Sequence, residues 1–372
     1  MMRVLFRADA NTEIGSGHLM RCLALVRALR AHGAECAFLA RARGLDALVA
    51  RIRDEGCTFI PLPGADALRA DAGDGLTHSH WLPGGCAADA ALCAQALGEV
   101  APADWLVVDH YALDHRWEAA MARYARHVLA IDDLADRRHD CTLLLDQNLM
   151  PDAVSRYDGL LSKSCERLLG PRFALLRDEF SLDEAPSCPP GEDGAGRRLL
   201  VMFGGADMSN LTAAVAETLI SMDWREPVDF VAGPLYPHLD ALREAIAHLH
   251  GARLHAPAWD VAALMKGACL AIGSPGVSSW ERCACALPSI TIAQAGNQEP
   301  IGRAVAEAGA HVYLGHAGGL DRNRLVAEID ALWSSRQRLR EMAGIASAIC
   351  DGHGAARVAQ RMVEHEHHNT MF

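Results

Sequence analysis

Short apolar runs alternate with amphipathic segments along most of the chain. "RVLFRAD" reads as a first strand, and "HLMRCLALVRALRAHG" as the helix that follows it. In that helix Leu19, Cys22, Leu23, Val26 and Leu29 recur at helical spacing, and Gly33 is placed to end it as the C′ residue. "AECAFLAR" and "CTFIPL" predict two further strands around the helix "GLDALVARIRDEG". "WLVVDHY", "HVLAIDD" and "TLLLDQN" are nearly continuous apolar runs ending in acids or polar residues. Such runs suit parallel strands buried on both faces, with functional residues at their carboxyl ends. The Ala-, Gly- and His-rich region from Asp66 to Gly98 reads as loop, then as helix over "AADAALCAQALGEV".

The stretch from Ser181 to Arg197, rich in Pro, Gly and acids, has no periodicity and contains the expected linker. The rhythm then restarts with strands "RLLVMFGG", "VDFVAG", "ARLHAPA", "ACLAIGS", "SITIAQ" and "HVYLG". Helices such as "NLTAAVAETLI", "HLDALREAIAHLH" and "SSWERCACA" separate them. The expectation is an α/β protein of two Rossmann-like doubly wound domains facing a cleft. The boundaries expected are 1–185 for the first domain, 186–197 for the linker and 198–372 for the second.

Composition narrows this only modestly. Hydrophobic residues make up 51% of the chain, enough for two cores, and no apolar run is long enough to span a bilayer. The formal net charge is -12 and no basic stripe is visible, which argues against nucleic acid as a partner. An anionic small molecule stays possible, because helix-start N–H groups bind phosphate without net positive charge. Twelve cysteines occur without C-x-x-C spacing. With no export signal visible, they are expected as free thiols in a reducing cytoplasm, most of them packed as small hydrophobes. No metal-ligand cluster is apparent, and the tail "EHEHHNTMF" is expected to be a solvated, frayed end.

Candidate chemistry begins at Gly15-Ser16-Gly17-His18, a tight strand-to-helix turn. A helix start disfavours added positive charge, and Arg21 one turn on acts the same way. A neutral imidazole there is able to take a proton from water. The alternative is a histidine that caps or packs. Asp9, at the end of the first strand, is a candidate partner for the imidazole. In "VMFGGADMSN", Gly204-Gly205 forms a turn and Asn210 is placed to cap the next helix. In "AIGSPGVSSWERCACALPSITIAQAGNQ", Ser278 and Ser279 open a helix suited to a diphosphate. Glu281 then either accepts from ribose hydroxyls or completes a capping box with Ser278. Gln298 follows the next strand.

Six segments carry a family resemblance: "FRADANTEIGSGHLMRCLALVRAL", "VVDHYALD", "IDDLADRRHDCTLLLDQN", "GPRFALLRDEF", "MFGGADMSN" and "GVSSWERCACALPSITIAQAGNQ". In this order they resemble the nucleotide-sugar hydrolases of the pseudaminic acid pathway. Those enzymes hydrolyse UDP-2,4-diacetamido-2,4,6-trideoxy-β-L-altropyranose to the free sugar and UDP. A cytoplasmic enzyme without metal or other cofactor is expected from the free thiols and the lack of a ligand cluster; the resemblance implies a GT-B fold of the MurG-like branch and a monomer. It implies His18 as the base that activates water, Tyr111 in the sugar site and Glu281 near the UDP ribose. Asp9, Gly15, Gly17 and Arg21 join Tyr111 as expected sugar-site residues. Gly204, Gly205, Ser278, Ser279, Glu281, Asn297 and Gln298 are expected around UDP. Two departures stand out: Pro275 removes one N–H donor from the loop before Ser278, and the Ala/Gly-rich insertion before Gly98 is placed to reshape the sugar pocket. A GT-B glycosyltransferase with the same base, or a non-catalytic nucleotide-sugar sensor, would carry much of the same pattern.

Overall fold

A computed structural model describes residues 1–11, 13–41, 45–63, 75–82, 84–182, 196–205, 207–233, 236–256, 258 and 260–369. The expected linker lies outside these, apart from its last two residues. The first sheet is built from β1 (Arg3–Ala8), β2 (Glu35–Ala40), β3 (Thr58–Pro61), β4 (Ala103–Asp109), β5 (Ala125–Ile131), β6 (Leu143–Asp146) and β7 (Glu166–Leu169). Its strands are all parallel, in the order β3-β2-β1-β4-β5-β6-β7. Helices α1 (Gly17–Ala31), α2 (Asp46–Asp54), α3 (Gly85–Leu97) and α4 (His115–Met121) connect them. The second sheet contains β8 (Leu199–Met202), β9 (Val228–Val231), β10 (Ala252–His255), β11 (Leu270–Gly273), β12 (Ser289–Ala293) and β13 (His311–His316). It too is parallel, ordered β10-β9-β8-β11-β12-β13. Its helices are α5 (Leu211–Ser221), α6 (Leu239–Ile246), α7 (Val261–Gly267), α8 (Ser278–Ala284), α9 (Glu299–Glu307), α10 (Arg322–Ser334) and α11 (Arg336–Ile349); α12 (Gly354–Asn369) closes the chain.

Residue parity explains why both faces of the first sheet are buried. In β1, Val4, Phe6 and Ala8 join the core beneath α1, whereas Leu5 joins the core on the opposite face, beneath α3 and α4. In β4, Trp105 and Val107 face α1, and Leu106 and Val108 face away. A parallel sheet covered on both sides needs these continuous apolar runs. Every described cysteine is buried and none is in a disulfide. Among the described residues no helix is long and apolar enough to cross a membrane.

Two compact units emerge: Met1–Asn148 with Asp152–Arg177 and His353–Phe372, and Leu149–Pro151 with Asp178–Gly352. The last segment thus corrects the expected second domain of 198–372, because α12 belongs to the first unit. Ala355, Val358, Ala359 and Met362 complete the core that α1 lines, which gives the helix its apolar anchor. The expected frayed tail, whose residues 370–372 lie outside the described ones, is corrected over its first part. Helix extends to Asn369, and His365 Nε2 lies 3.1 Å from Glu166 Oε2. Apolar burial on one face, with Arg361 and His365 meeting Glu166 on the other, keeps the turn formed.

Candidate active site

In each sheet the strand order reverses between the first strand of the unit and the fourth: β1 beside β4, and β8 beside β11. Ligands in open α/β sheets bind outside the carboxyl ends of the strands at such switch points. The glycine loops singled out from the sequence follow β1, β8 and β11, so all three stand at these points.

After β1 the chain folds on itself. Asn11 Oδ1 accepts from the backbone N–H groups of Glu13 and Ile14, at 2.8 and 2.7 Å. Gly15, at φ +76°, returns its N–H to the Asn11 carbonyl at 2.9 Å. A side chain at that φ would be strained, so glycine is required there. Helix α1 then starts at Gly17, and His18 occupies its second position, 8% exposed.

One turn of α1 converges on one carboxylate. His18 Nδ1 lies 2.6 Å from Asp109 Oδ1. Arg21 grips the same group in a fork, Nε to Oδ2 and Nη2 to Oδ1, both at 2.6 Å. Residues three apart on a helix share a face, which lets both reach the end of β4. Burial alone would raise the Asp109 carboxyl, but the Arg21 guanidinium and His18 hold it well below the usual carboxylate range. With a carboxylate at Nδ1, the favoured tautomer donates Nδ1–H and leaves Nε2 as the acceptor nitrogen. The sequence pointed to Asp9 as the carboxylate beside this imidazole; Asp109 takes that place.

Tyr111 follows two residues later. Its ring centroid lies 4.7 Å from that of His18, edge to face. Burial first, and then the Asp133 carboxylate, push its phenol well above the ordinary value, so it stays a neutral hydroxyl. Asp133, at the end of β5, also reaches Arg21 Nη1 at 3.4 Å. Behind it stands a buried network: Arg137 Nη1 lies 2.9 Å from Asp132 Oδ1, and His139 Nδ1 lies 2.7 Å from Glu118 Oε1.

Asp9 is not the partner of His18, which corrects the expectation. It faces away from α1, into a buried cluster with Arg7, Arg41 and Asp89. Arg7 Nη1 donates to Asp9 Oδ1 at 2.5 Å, the Arg41 backbone N–H to the same oxygen at 2.7 Å, and Arg7 Nη2 to Asp89 Oδ2 at 2.7 Å. His110 Nε2 stands 3.3 Å from Asp9 Oδ2. Parity is the reason: Asp9 is on the Arg7 side of the strand, and Asp109 on the Val107 side. Asp109 and Asp133 were missed. Their signal was an acid closing a buried apolar run, and only strand order shows which acid meets which helix.

In the second unit Gly204 has φ +85°, and Gly204-Gly205 is exposed. A Cβ on Gly233 would sit 2.3 Å from the Gly205 carbonyl oxygen, so the loop lies against bare backbone. Asn210 stands at the N-cap of α5 but makes no side-chain cap bond. That role falls to Asp207, which accepts from the backbone of Leu211 at 3.0 Å and Thr212 at 2.8 Å, and from the Thr212 hydroxyl at 2.7 Å. Asp207→Ala is expected to lower stability by about 1–2 kcal/mol, measured by urea unfolding.

Ser278 is the first residue of α8, not its cap: Val277 holds that position, and no side chain caps the helix. The capping-box reading with Glu281 is thereby corrected. Arg282 instead uses both serines, Nη1 to Ser278 Oγ at 3.1 Å and Nη2 to Ser279 Oγ at 3.2 Å. Glu281 lies half-buried in the first turn of α8, and Asn297 is exposed on the turn Gly296–Gln298. Gln298 Oε1 accepts from the Gln294 backbone at 2.8 Å, and Gln294 Nε2 donates to the Phe203 carbonyl at 2.8 Å. Those two bonds tie the segment after β12 to the glycine loop after β8. Among the described residues no group of three or more His, Cys, Asp or Glu is placed to hold a metal.

Two parallel sheets of this order in one chain define a protein with the GT-B fold of MurG-like glycosyltransferases. The structure of Acinetobacter baumannii MurG matches with a TM-score of 0.69 at 14% identity, covering 98% of this chain and 100% of that one. UDP-GlcNAc 2-epimerase from Neisseria meningitidis, bound to UDP-GlcNAc, matches at 0.62 and 11%, covering 98% and 100%. No protein-family model matches the chain. Among curated proteins, UDP-2,4-diacetamido-2,4,6-trideoxy-beta-L-altropyranose hydrolase from Campylobacter jejuni is 24% identical over 59% of this chain and 66% of its own length. Spore coat polysaccharide biosynthesis protein SpsG from Bacillus subtilis is 26% identical over 51% and 54%. An uncharacterised Methanocaldococcus jannaschii protein, MJ1062, is 29% identical over 34% and 26%. The chain thus spans between a quarter and two thirds of the length of these relatives.

Proposed function

We propose that this protein is a nucleotide-sugar hydrolase that cleaves UDP-2,4-diacetamido-2,4,6-trideoxy-β-L-altropyranose, or a close isomer, into the free sugar and UDP. The observation that carries the reading is the His18–Asp109 pair, anchored by Arg21 beside Tyr111 at the first switch point. A general base needs a fixed tautomer and one nitrogen left to accept a proton. The distant likeness to the Campylobacter jejuni hydrolase supports the choice of substrate.

In this reading a water loses its proton to His18 Nε2 as its oxygen attacks C1 of the sugar. The bond from C1 to the β-phosphate oxygen breaks, UDP takes the electron pair, and the configuration at C1 inverts. Asp109 holds the ring and balances the charge that forms on it. Gly15 and Gly17 keep the turn before His18 open: a Cβ on either would meet nothing within 4 Å. Arg21 and Tyr111 shape the sugar side. Gly204, Gly205, Ser278, Ser279, Glu281, Asn297 and Gln298 are assigned to UDP, with backbone N–H groups meeting the diphosphate and Glu281 the ribose. Their recruitment follows the family resemblance, and the loops of Gly204, Gly205, Ser278 and Ser279 follow the two strands of the second switch point.

Incubating the protein with this sugar nucleotide and following it by NMR tests the proposal. UDP should appear together with the inverted anomer of the free sugar. A second reading, transfer of the sugar to a hydroxyl acceptor, is favoured by the likeness to MurG. The same base would serve it. UDP release that requires an added acceptor would replace hydrolysis with transfer.

A further inference from the structure

The insertion between β3 and α3, expected from the sequence to reshape the sugar pocket, is described in part. Its described part ends in a short 3-10 turn, Ser79–Trp81. That turn brings an aromatic group to the base. The Trp81 ring stacks on Tyr111 with centroids 5.6 Å apart and planes 20° from parallel. It stands edge-on to His18 at 6.1 Å. His78 packs 4.7 Å from Trp81 and 5.2 Å from Tyr111. Burial lowers the His78 pKa, which disfavours a charged ring there. His80 Nε2 lies 3.0 Å from Glu13 Oε1, which ties the turn to the loop that leads into α1.

Trp81 is only half-buried, although it lies within van der Waals reach of groups at the carboxyl end of the sheet. Trp105 and Trp117 of the same unit are fully buried, whereas Trp81 keeps part of its surface exposed. Its ring centroid stands 6.1 Å from that of the proposed base, close to where the sugar has to sit for C1 to be attacked. Aromatic faces favour C–H and methyl groups over hydroxyls, and a water-poor wall limits which waters reach the imidazole.

We propose that Trp81, backed by Tyr111 and His78, is the specificity wall of the sugar site, packing against the N-acetyl and 6-deoxy methyl groups of the substrate. This selects methyl-bearing sugars over hydroxyl-rich hexoses. It rests on the hydrolase reading for the identity of the sugar, and on the ring geometry for the wall.

The test uses the full chain. Binding of UDP and of UDP-2,4-diacetamido-2,4,6-trideoxy-β-L-altropyranose is measured by calorimetry on the His18→Asn background, with and without Trp81→Ala. Kinetics are measured on the single variants Trp81→Ala and Trp81→Phe. UDP affinity should be equal throughout, which also reports a folded second unit. The extra affinity contributed by the sugar should fall ~10-fold in Trp81→Ala. KM should rise by the same factor with kcat nearly kept, and Trp81→Phe should recover most of the loss. If the sugar adds affinity that Trp81→Ala leaves intact, the wall is wrong and hydrolysis stands. If that affinity falls as expected but the wild type releases no UDP, the wall stands and hydrolysis fails. If the sugar adds no affinity over UDP, the wall fails, and UDP release by the wild type alone decides hydrolysis.

Discussion

Asp109→Asn is expected to lower both turnover and stability strongly. Asparagine keeps the shape but removes the charge that fixes His18 Nδ1–H and neutralises Arg21. General-base assistance is worth ~10²–10⁴-fold, and most of it should go. His18→Asn should cost a similar factor, and the double variant little more than either alone, because the two residues act as a unit. UDP affinity should survive in all three. The effect on stability separates the two positions. Asp109→Asn leaves the buried Arg21 fork without its main counter-charge, a loss of about 3–5 kcal/mol. Asp109→Leu combined with Arg21→Met removes both charges and should regain much of that stability without regaining activity. Calorimetric melting beside a UDP-release assay reads both quantities. Equal turnover in wild type and His18→Asn would end the assignment of the base.

The second large effect is a dependence of stability on pH, centred on His139. Burial pulls its imidazolium down, but Asp132 and Glu118 more than offset this and lift its pKa to about 9. The folded value therefore lies above the unfolded one, near 6.5. Stabilisation is complete below pH 6.5 and is lost as pH rises through 9, amounting to roughly 3 kcal/mol across that window. Urea unfolding at pH 6, 7.5 and 9.5 should show the decline in wild type and a flatter profile in His139→Gln. Parallel profiles would mean that the ring is not charged in the folded state. This network holds the segment from Asp132 to His139, which places Asp133 near Arg21 and Arg137 5.9 Å from the Tyr111 ring. Loosening it at high pH should therefore disturb the surroundings of Arg21 and Tyr111.

Most of the secondary structure was legible because its signal is local. The strands read as "RVLFRAD", "WLVVDHY", "TLLLDQN" and "ACLAIGS" all occur, since a parallel strand covered on both faces needs an unbroken apolar run. Gly33 was legible too: it follows the cap residue His32 with φ +77°, a conformation that favours glycine. Caps were less so. Asn210 and Ser278 are the residue types that cap helices, yet Asp207 caps α5 and no side chain caps α8, because a cap depends on the loop conformation that delivers it. Trp81 carried no periodic signal, and its neighbours become visible only once Tyr111 is brought beneath it.

What the amino-acid order alone determined is the alternation of strands and helices, the two-domain doubly wound fold, and the presence of His18 in a glycine turn. Each is signalled by patterns among residues a few positions apart, although the strand order itself comes from pairing between distant segments. What tertiary structure alone decided is the partner of that histidine. Asp9 and Asp109 each stand at the end of a buried strand, and sequence spacing cannot separate them. Strand order places β4 beside β1, and parity turns Asp109 toward α1 while Asp9 meets Arg7. Likewise α12 returns to the first unit because its apolar face fits the core beneath α1, a contact between residues more than 300 positions apart. Such choices depend on which surfaces exclude water together, and that depends on the whole folded chain.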